Sequence, residues 1–250
     1  MTYCVAAMID AGIVMASDSR TNAGVDNIAT FRKMKIFENP GERVVVAICS
    51  GNLAITQATI NRIEQTMHRH DGSTSVMNAS SMYDVAELFG TMLRDVRKRE
   101  APFMHNVDSS ANFIIGGQIH GERPRLFLVY PEGNFIEATT ETPYFQIGEV
   151  KYGKPIIDRV IMPGTMLSDA VKCILVSFDS TMRSNLSVGM PIDLVCYEAG
   201  SLRVTKNCCF NEEDAYMQTL KREWNEGVRR AFAQLPALDW DRQQTEQGKQ

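Results

Sequence analysis

MTYCVAAMIDAGIVMASDSR (Met1–Arg20) is the stretch that decides how the chain is read. Thr2 runs straight into an apolar segment, Tyr3 to Ile9, that has the length of a core strand. Asp10-Ala11-Gly12 supplies a turn, and Ile13 to Ala16 reads as a second strand returning beside the first. A small hydroxyl residue thus stands at the head of a buried strand, with neither the basic region nor the apolar core of a secretory signal before it. An initiator methionine is removable when a small residue such as threonine follows. The chain would then begin with an amine and a hydroxyl on one residue. An α-amino group titrates at ~7.7–8.0, so near neutrality a fraction of it is free to accept a proton. A threonine hydroxyl is a weak nucleophile until a base activates it, and the amine of the same residue is one such base. Many chains begin Met-Thr for no catalytic reason. Here the start gains weight from SDSR on the second strand and from the lysine-bearing FRKMK that follows.

Working outward, a strand is predicted around Arg32 to Phe37, then the turn ENPGER and a strand from Val44 to Cys49. After Ser50-Gly51 the apolar period changes to 3.6, with Leu53, Ile55, Ile60 and Ile63 on one helix face. A second helix starts at Ser80 or Ser81, with Asp84 three residues after Ser81 in a capping-box-like start and Val85, Leu88, Met92 and Val96 as its stripe. Strands resume with ANFIIGGQI, RLFLVY and NFIEA. A third helix is expected from about Ser168 to Met182, with Val171, Ile174, Leu175 and Phe178 inward. Two more strands, IDLVCY and LRVTKNCC, flank EAGS. A last helix is expected behind a cap at Asn211, with Tyr216, Leu220, Trp224, Val228 and Phe232 recurring every fourth residue. Strands joined by tight turns imply antiparallel sheets, and helices gathered between runs of strands imply helices on the outer faces. The expected fold is α+β, a four-layer α/β/β/α sandwich of two antiparallel sheets. One domain is expected over residues 1–237, with a polar tail over 238–250.

The bulk properties narrow the class. The chain has 250 residues, 44% hydrophobic and 22% charged, which describes a folded protein with a sizeable core. Its net charge of −4 gives no electrostatic reason to expect nucleic acid or an acidic membrane surface as partner. No apolar run approaches the ~18 residues of a membrane helix, and a cytoplasmic location is expected. Six cysteines (Cys4, Cys49, Cys173, Cys196, Cys208, Cys209) form no CxxC pair and read as buried free thiols. His68 and His70 straddle an arginine, but no carboxylate or cysteine is spaced to complete a metal site with them, so neither metal nor cofactor is expected. The 14 methionines suit adaptable packing or subunit contacts. Gly116-Gly117 lacks the GK[ST] of a phosphate loop, so any ATPase would be another chain.

VMASDSRTNAG resembles the AADxRAT-type segment of proteasome β-subunits and of the bacterial ATP-dependent two-component peptidase. MTYCVA together with SDSRTNAGVDNIATFRKM most resembles Anbu, the bacterial proteasome-like family named for an ancestral β-subunit. The resemblance implies an N-terminal nucleophile hydrolase. Thr2 would be the nucleophile, Asp18 the aspartate that binds a lysine and fixes its charge, and Lys33 the lysine beside Thr2. Its ammonium would disfavour a second protonated amine at Thr2. Lys33 and Lys35 are two apart, so on a regular strand both face the same way. Lys33 matches the family's RKM pattern, and Lys35 is the fallback. Gly51, between a strand and a helix, either makes the turn alone or also offers an N–H to an oxyanion; the family's glycine at this point favours the second. Family positions around the nucleophile's amine fall on Glu149, where a serine is usual, and on Asp179 and Ser187, spaced more widely than usual. Asn22 replaces the family's threonine. Arg20, Asn22 and Cys49 would line the substrate pocket, with Arg20 holding an acidic group or pairing with Asp18 or Asp26.

The implied function is a threonine peptidase or amidohydrolase that cleaves peptide or amide bonds and works as a ring-like or open-helical homo-oligomer. Two alternatives stand beside it. One is a hydrolase of small amides or γ-glutamyl bonds, with Glu149 and Asn22 as specificity changes. The other is an inactive structural ring subunit, against which the absence of a helix before the first strand argues. Cys4 reads as core, because a cysteine nucleophile of this class stands first.

Overall fold

The computed structural model describes residues 2–22, 28–69, 71–105 and 107–238. In chain order the elements are β1 (Tyr3–Ile9), β2 (Gly12–Asp18), β3 (Arg20–Asn22), β4 (Ile28–Thr30), β5 (Met34–Asn39), β6 (Arg43–Gly51), α1 (Leu53–Met67) and α2 (Met82–Glu100). Then come β7 (Ala111–Ile119), β8 (Arg125–Val129), β9 (Phe135–Glu137), β10 (Tyr144–Gly148), α3 (Lys154–Val160), α4 (Leu167–Ser184), β11 (Ile192–Glu198), β12 (Lys206–Phe210) and α5 (Ala215–Ala233).

Two five-stranded antiparallel sheets carry the fold, in the orders β10-β1-β2-β11-β12 and β5-β6-β7-β8-β9. β3 and β4 make a separate two-stranded ribbon. The strands that sit centrally read as nearly unbroken apolar runs because both their faces are covered. On β6, Val45, Ala47 and Cys49 pack under α1 and α2, whereas Val44, Val46 and Ile48 pack against the other sheet. On β2, Val14 and Ala16 pack under the helices on their side, and Ile13 and Met15 face the inter-sheet core. Three apolar layers thus lie between four structural layers: α1 and α2, sheet, sheet, then α3 and α4. The α/β/β/α sandwich read from the sequence is the observed fold.

Helix starts follow local chemistry. Ser81 Oγ accepts the Asp84 N–H at 3.0 Å and begins α2. Asn52 Oδ1 accepts the N–H groups of Ala54 (3.0 Å) and Ile55 (3.3 Å) and begins α1.

Several expectations need correction. β10 and α3 were not foreseen, because YFQIG and KPIIDRV are short and weakly periodic. Regular pairing on β12 starts only at Lys206, and the cap of α5 is Asp214, whose side chain accepts the Met217 N–H at 3.0 Å, rather than Asn211. The five-residue stripe on α5 is not a core face, although Leu220 is partly buried against the core. Tyr216, Trp224, Val228 and Phe232 are exposed, Phe232 to 75%, and Met217 is the residue of α5 that is buried. Cys4, Cys49, Cys173 and Cys196 are buried, but Cys208 and Cys209 are exposed on the edge strand β12. Asp26, His70 and residues 239–250 lie outside the described residues.

Candidate active site

The β1–β2 hairpin sets the site. Its register pairs Cys4 with Ser17 and leaves Thr2-Tyr3 beside Asp18. Asp18 Oδ1 accepts the Tyr3 N–H at 3.1 Å and the Lys33 Nζ at 2.7 Å. Lys33 Nζ also donates to the Arg20 carbonyl at 2.6 Å. Both partners are sealed from water, with 6% of the Lys33 side chain and none of the Asp18 side chain exposed. Burial pushes the Asp18 carboxyl above the usual aspartate range, and the Lys33 charge and hydrogen bond pull it partly back.

Lys33 and Lys35 do not share a face. β5 begins at Met34, so Lys33 precedes the regular strand and the alternation that would align the two lysines does not reach it. Lys35 points outward to Glu64 at 2.8 Å, with nearly half its side chain exposed. The Lys33 backbone is held by Cys49, whose N–H donates to the Lys33 carbonyl at 3.1 Å and whose Sγ lies 3.5 Å from it. Burial pushes the Cys49 thiol up to about 12 and the Cys4 thiol well above its usual value. Burial of this kind disfavours the thiolate and makes a thiol a poor nucleophile.

Thr2, Lys33, Gly51, Cys49 and Arg20 line one cleft of about 450 Å³. Gly51 ends β6 with φ +107°, and a Cβ there would lie 2.3 Å from the Ser110 carbonyl oxygen. Only glycine fits. The first amides of α1 are occupied by the Asn52 side chain, so the open N-terminus expected of that helix is capped from within.

Gly148 was not singled out from the sequence. It pairs with Tyr3 across β1 and β10 at φ +85°, and a Cβ on it would meet the Thr2 carbonyl oxygen at 1.9 Å. The next residue donates its N–H to that same oxygen, Glu149 to Thr2, at 2.7 Å. A glycine closing a short strand was the available signal.

Glu149 is buried, and its Oε2 accepts Asn185 Nδ2 at 2.9 Å, while Oε1 lies 3.8 Å from Lys151 Nζ. Asn185 Oδ1 accepts the Ser187 N–H at 2.9 Å, so Glu149 and Ser187 share one loop contact at the edge of the Thr2 backbone. Asp179 stands apart from them on α4. It is half-buried, faces Lys221 and Arg183, and is not part of the cleft wall. Arg20 does not pair with Asp18, and Asp26 lies outside the described residues: Nη1 donates to the Leu186 carbonyl at 3.0 Å and Nη2 lies 3.9 Å from Glu212. The Asn22 side chain lies outside the described residues. Among those residues no group of three or more His, Cys, Asp and Glu is placed to hold a metal ion.

Residues 2–196 match the family model described as Proteasome subunit. The chain belongs to the proteasome-subunit family. Its solved relatives include Anbu proteins. Anbu (ancestral β-subunit) from Yersinia bercovieri is 49% identical, covering 95% of this chain and 99% of that one, with a TM-score of 0.90. Anbu from Hyphomicrobium sp. strain MC1 is 49% identical, over 95% of this chain and 100% of that one, with a TM-score of 0.89. Anbu from Pseudomonas aeruginosa, solved as a helical assembly of the Anbu complex, is 47% identical over 96% and 99%, with a TM-score of 0.92. No curated protein matches the chain. The Anbu fold is that of the N-terminal nucleophile hydrolases, as the sequence resemblance implied. Among the described residues no helix is long and apolar enough to cross a membrane.

Proposed function

We propose that this Anbu protein is a threonine-type N-terminal nucleophile hydrolase that cleaves peptide or amide bonds through Thr2. The observation that carries the reading is the sealed Lys33–Asp18 pair, anchored on the Tyr3 N–H, at the cleft that Thr2 lines. A buried charge pair is costly to assemble and needs a reason to be kept. Activating a neighbouring hydroxyl is such a reason.

Removal of Met1 frees the Thr2 amine. Thr2 Oγ then attacks the substrate carbonyl as its proton passes to that amine. The Lys33 ammonium keeps the amine from being permanently protonated and steadies the developing alkoxide. The Gly51 N–H holds the oxyanion. Collapse of the tetrahedral intermediate breaks the C–N bond, and the leaving amine takes the proton from Thr2. Water then hydrolyses the ester and returns Oγ–H. Asp18 and the Cys49 N–H position Lys33. Glu149, held by Asn185, stands beside the Thr2 backbone as a counter-charge for the new ammonium, with Ser187 bracing the loop. Asp179 takes no part.

The helical assembly of the Pseudomonas aeruginosa relative supports a homo-oligomer here also, ring-like or open-helical. The test is hydrolysis of a fluorogenic peptide and amide panel by the processed chain, its Thr2→Ser variant and its Thr2→Ala variant. Turnover that persists with serine and vanishes with alanine is expected. Turnover unchanged in Thr2→Ala would overturn the reading.

A further inference from the structure

Arg20 lines two cavities, the Thr2 cleft and a second one of about 380 Å³. Its guanidinium belongs to the second. Nη1 donates to the Leu186 carbonyl at 3.0 Å, and Nη2 lies 3.9 Å from Glu212. A Cβ on Gly189 would fall 2.5 Å from the guanidinium carbon. Leu186, Glu212 and Gly189 are all walls of that cavity. Lys221 of α5 lines it too, and Met182, Val188 and Met190 give it an apolar side.

Charge in this cavity is unbalanced. The Glu212 side chain is 75% exposed, and a solvated pair at 3.9 Å neutralises little of the guanidinium. Among the described residues Lys221 makes no hydrogen bond or ion pair. The carboxylate that feels its charge is Asp179, which is not a wall of the cavity and is shared with Arg183. Arg20 offers five donors in a fixed plane, and Leu186 takes one of them. Two cations facing an apolar wall suit a carboxylate carried on an apolar body.

The walls of this cavity also hold the Lys33–Asp18 pair. The Arg20 carbonyl accepts Lys33 Nζ at 2.6 Å. The Gly189 backbone N–H bears on the Asp18 carboxyl and offsets part of the rise that burial imposes on it. A ligand that fixes the Arg20 fork against Gly189 therefore fixes a backbone contact to each member of the pair. We infer that this cavity is an effector site for an apolar carboxylate, gripped by Arg20 and Lys221, whose binding steadies the Lys33–Asp18 pair. The binding stands without the hydrolase reading; its effect on Thr2 rests on that reading.

The test titrates hexanoate, its uncharged analogue hexanamide and inorganic phosphate into the full chain by calorimetry. Hexanoate should bind about tenfold more tightly than hexanamide, the scale of one charge-assisted contact. That advantage should be lost in Lys221→Gln and in Arg20→Gln and return in Lys221→Arg. Acetyl-leucine, a peptide chain end, is titrated alongside, and tighter binding of one acid than the other identifies the source of the carboxylate. Equal affinity for hexanoate and hexanamide, or a preference untouched by Lys221→Gln, would overturn the site. Phosphate binding as tightly as hexanoate would leave an adventitious ion only. Epoxyketone labelling of Thr2 should quicken about fivefold with hexanoate bound, the low end of coupling between two sites, and should not quicken in Lys221→Gln. Labelling unchanged by bound hexanoate, or slowed equally in both chains, would overturn the coupling. Hexanoate binding with no labelling under any condition would count against the hydrolase reading alone.

Discussion

One carboxylate oxygen of Asp18 receives both Lys33 Nζ, at 2.7 Å, and the Tyr3 N–H, at 3.1 Å. A single atom therefore ties the lysine to the backbone that follows Thr2. The hairpin register and the segment before β5 meet there, so errors in either are felt at Thr2.

Lys33→Ala removes one partner of a buried pair and leaves Asp18 buried without its cation. A cost of about 3–5 kcal/mol is expected, together with loss of Thr2 reactivity. Lys35→Ala, at an exposed pair with Glu64, should cost no more than about 1 kcal/mol and spare reactivity. Urea unfolding of the two variants checks the contrast. Equal costs would mean that burial does not distinguish them.

Gly148→Ala places a methyl against the Thr2 carbonyl at a left-handed φ of +85°. Strain of about 1–3 kcal/mol follows, and relief requires Thr2 to move. Gly41→Ala serves as control: its φ is +83°, with nothing within 4 Å of the added carbon. Both should lose stability, but Thr2 labelling should fall steeply only in the first.

Acid should affect reactivity and folding in opposite senses through Asp18. Its carboxyl is raised by burial, so the folded chain holds that proton more tightly than the unfolded chain does. The group's contribution to stability therefore improves as pH falls through its folded value. Protonation also loosens Lys33, so Thr2 reactivity falls over the same range, above where an ordinary aspartate would act. From about pH 7 to about pH 4, the stability of wild type relative to Asp18→Asn should move in favour of wild type. A shift the other way would mean the carboxyl is lowered in the fold.

Thiol accessibility divides the cysteines. Under native conditions iodoacetamide should modify Cys208 first and Cys209 more slowly, its thiol raised by burial and by Asp193, and spare Cys4, Cys49, Cys173 and Cys196. Peptide mapping of the carbamidomethyl adducts checks the order. Early modification of Cys49 would contradict its sealed position.

The layered fold was legible because VVVAIC and ANFIIGGQI are apolar on both faces, and such strands need cover on both sides. That Thr2, Asp18, Lys33 and Gly51 meet around one cleft was legible from the start of the chain, where a recognisable segment holds most of them. β10 was not, since YFQIG owes its place to pairing with β1 far away in sequence. Gly148 was missed for that reason. Lys33 and Lys35 were expected to face the same way because the strand was placed two residues too early. The α5 stripe misled because every-fourth-residue spacing reports an apolar face without saying what covers it.

The most direct measurement is intact mass before and after exposure to an epoxyketone or β-lactone directed at N-terminal threonine, with Thr2→Ala as control. The account predicts loss of Met1 and one adduct, mapped to Thr2 and absent from the variant. Retained Met1 with no adduct would contradict it and leave a ring-building protein in place of an enzyme.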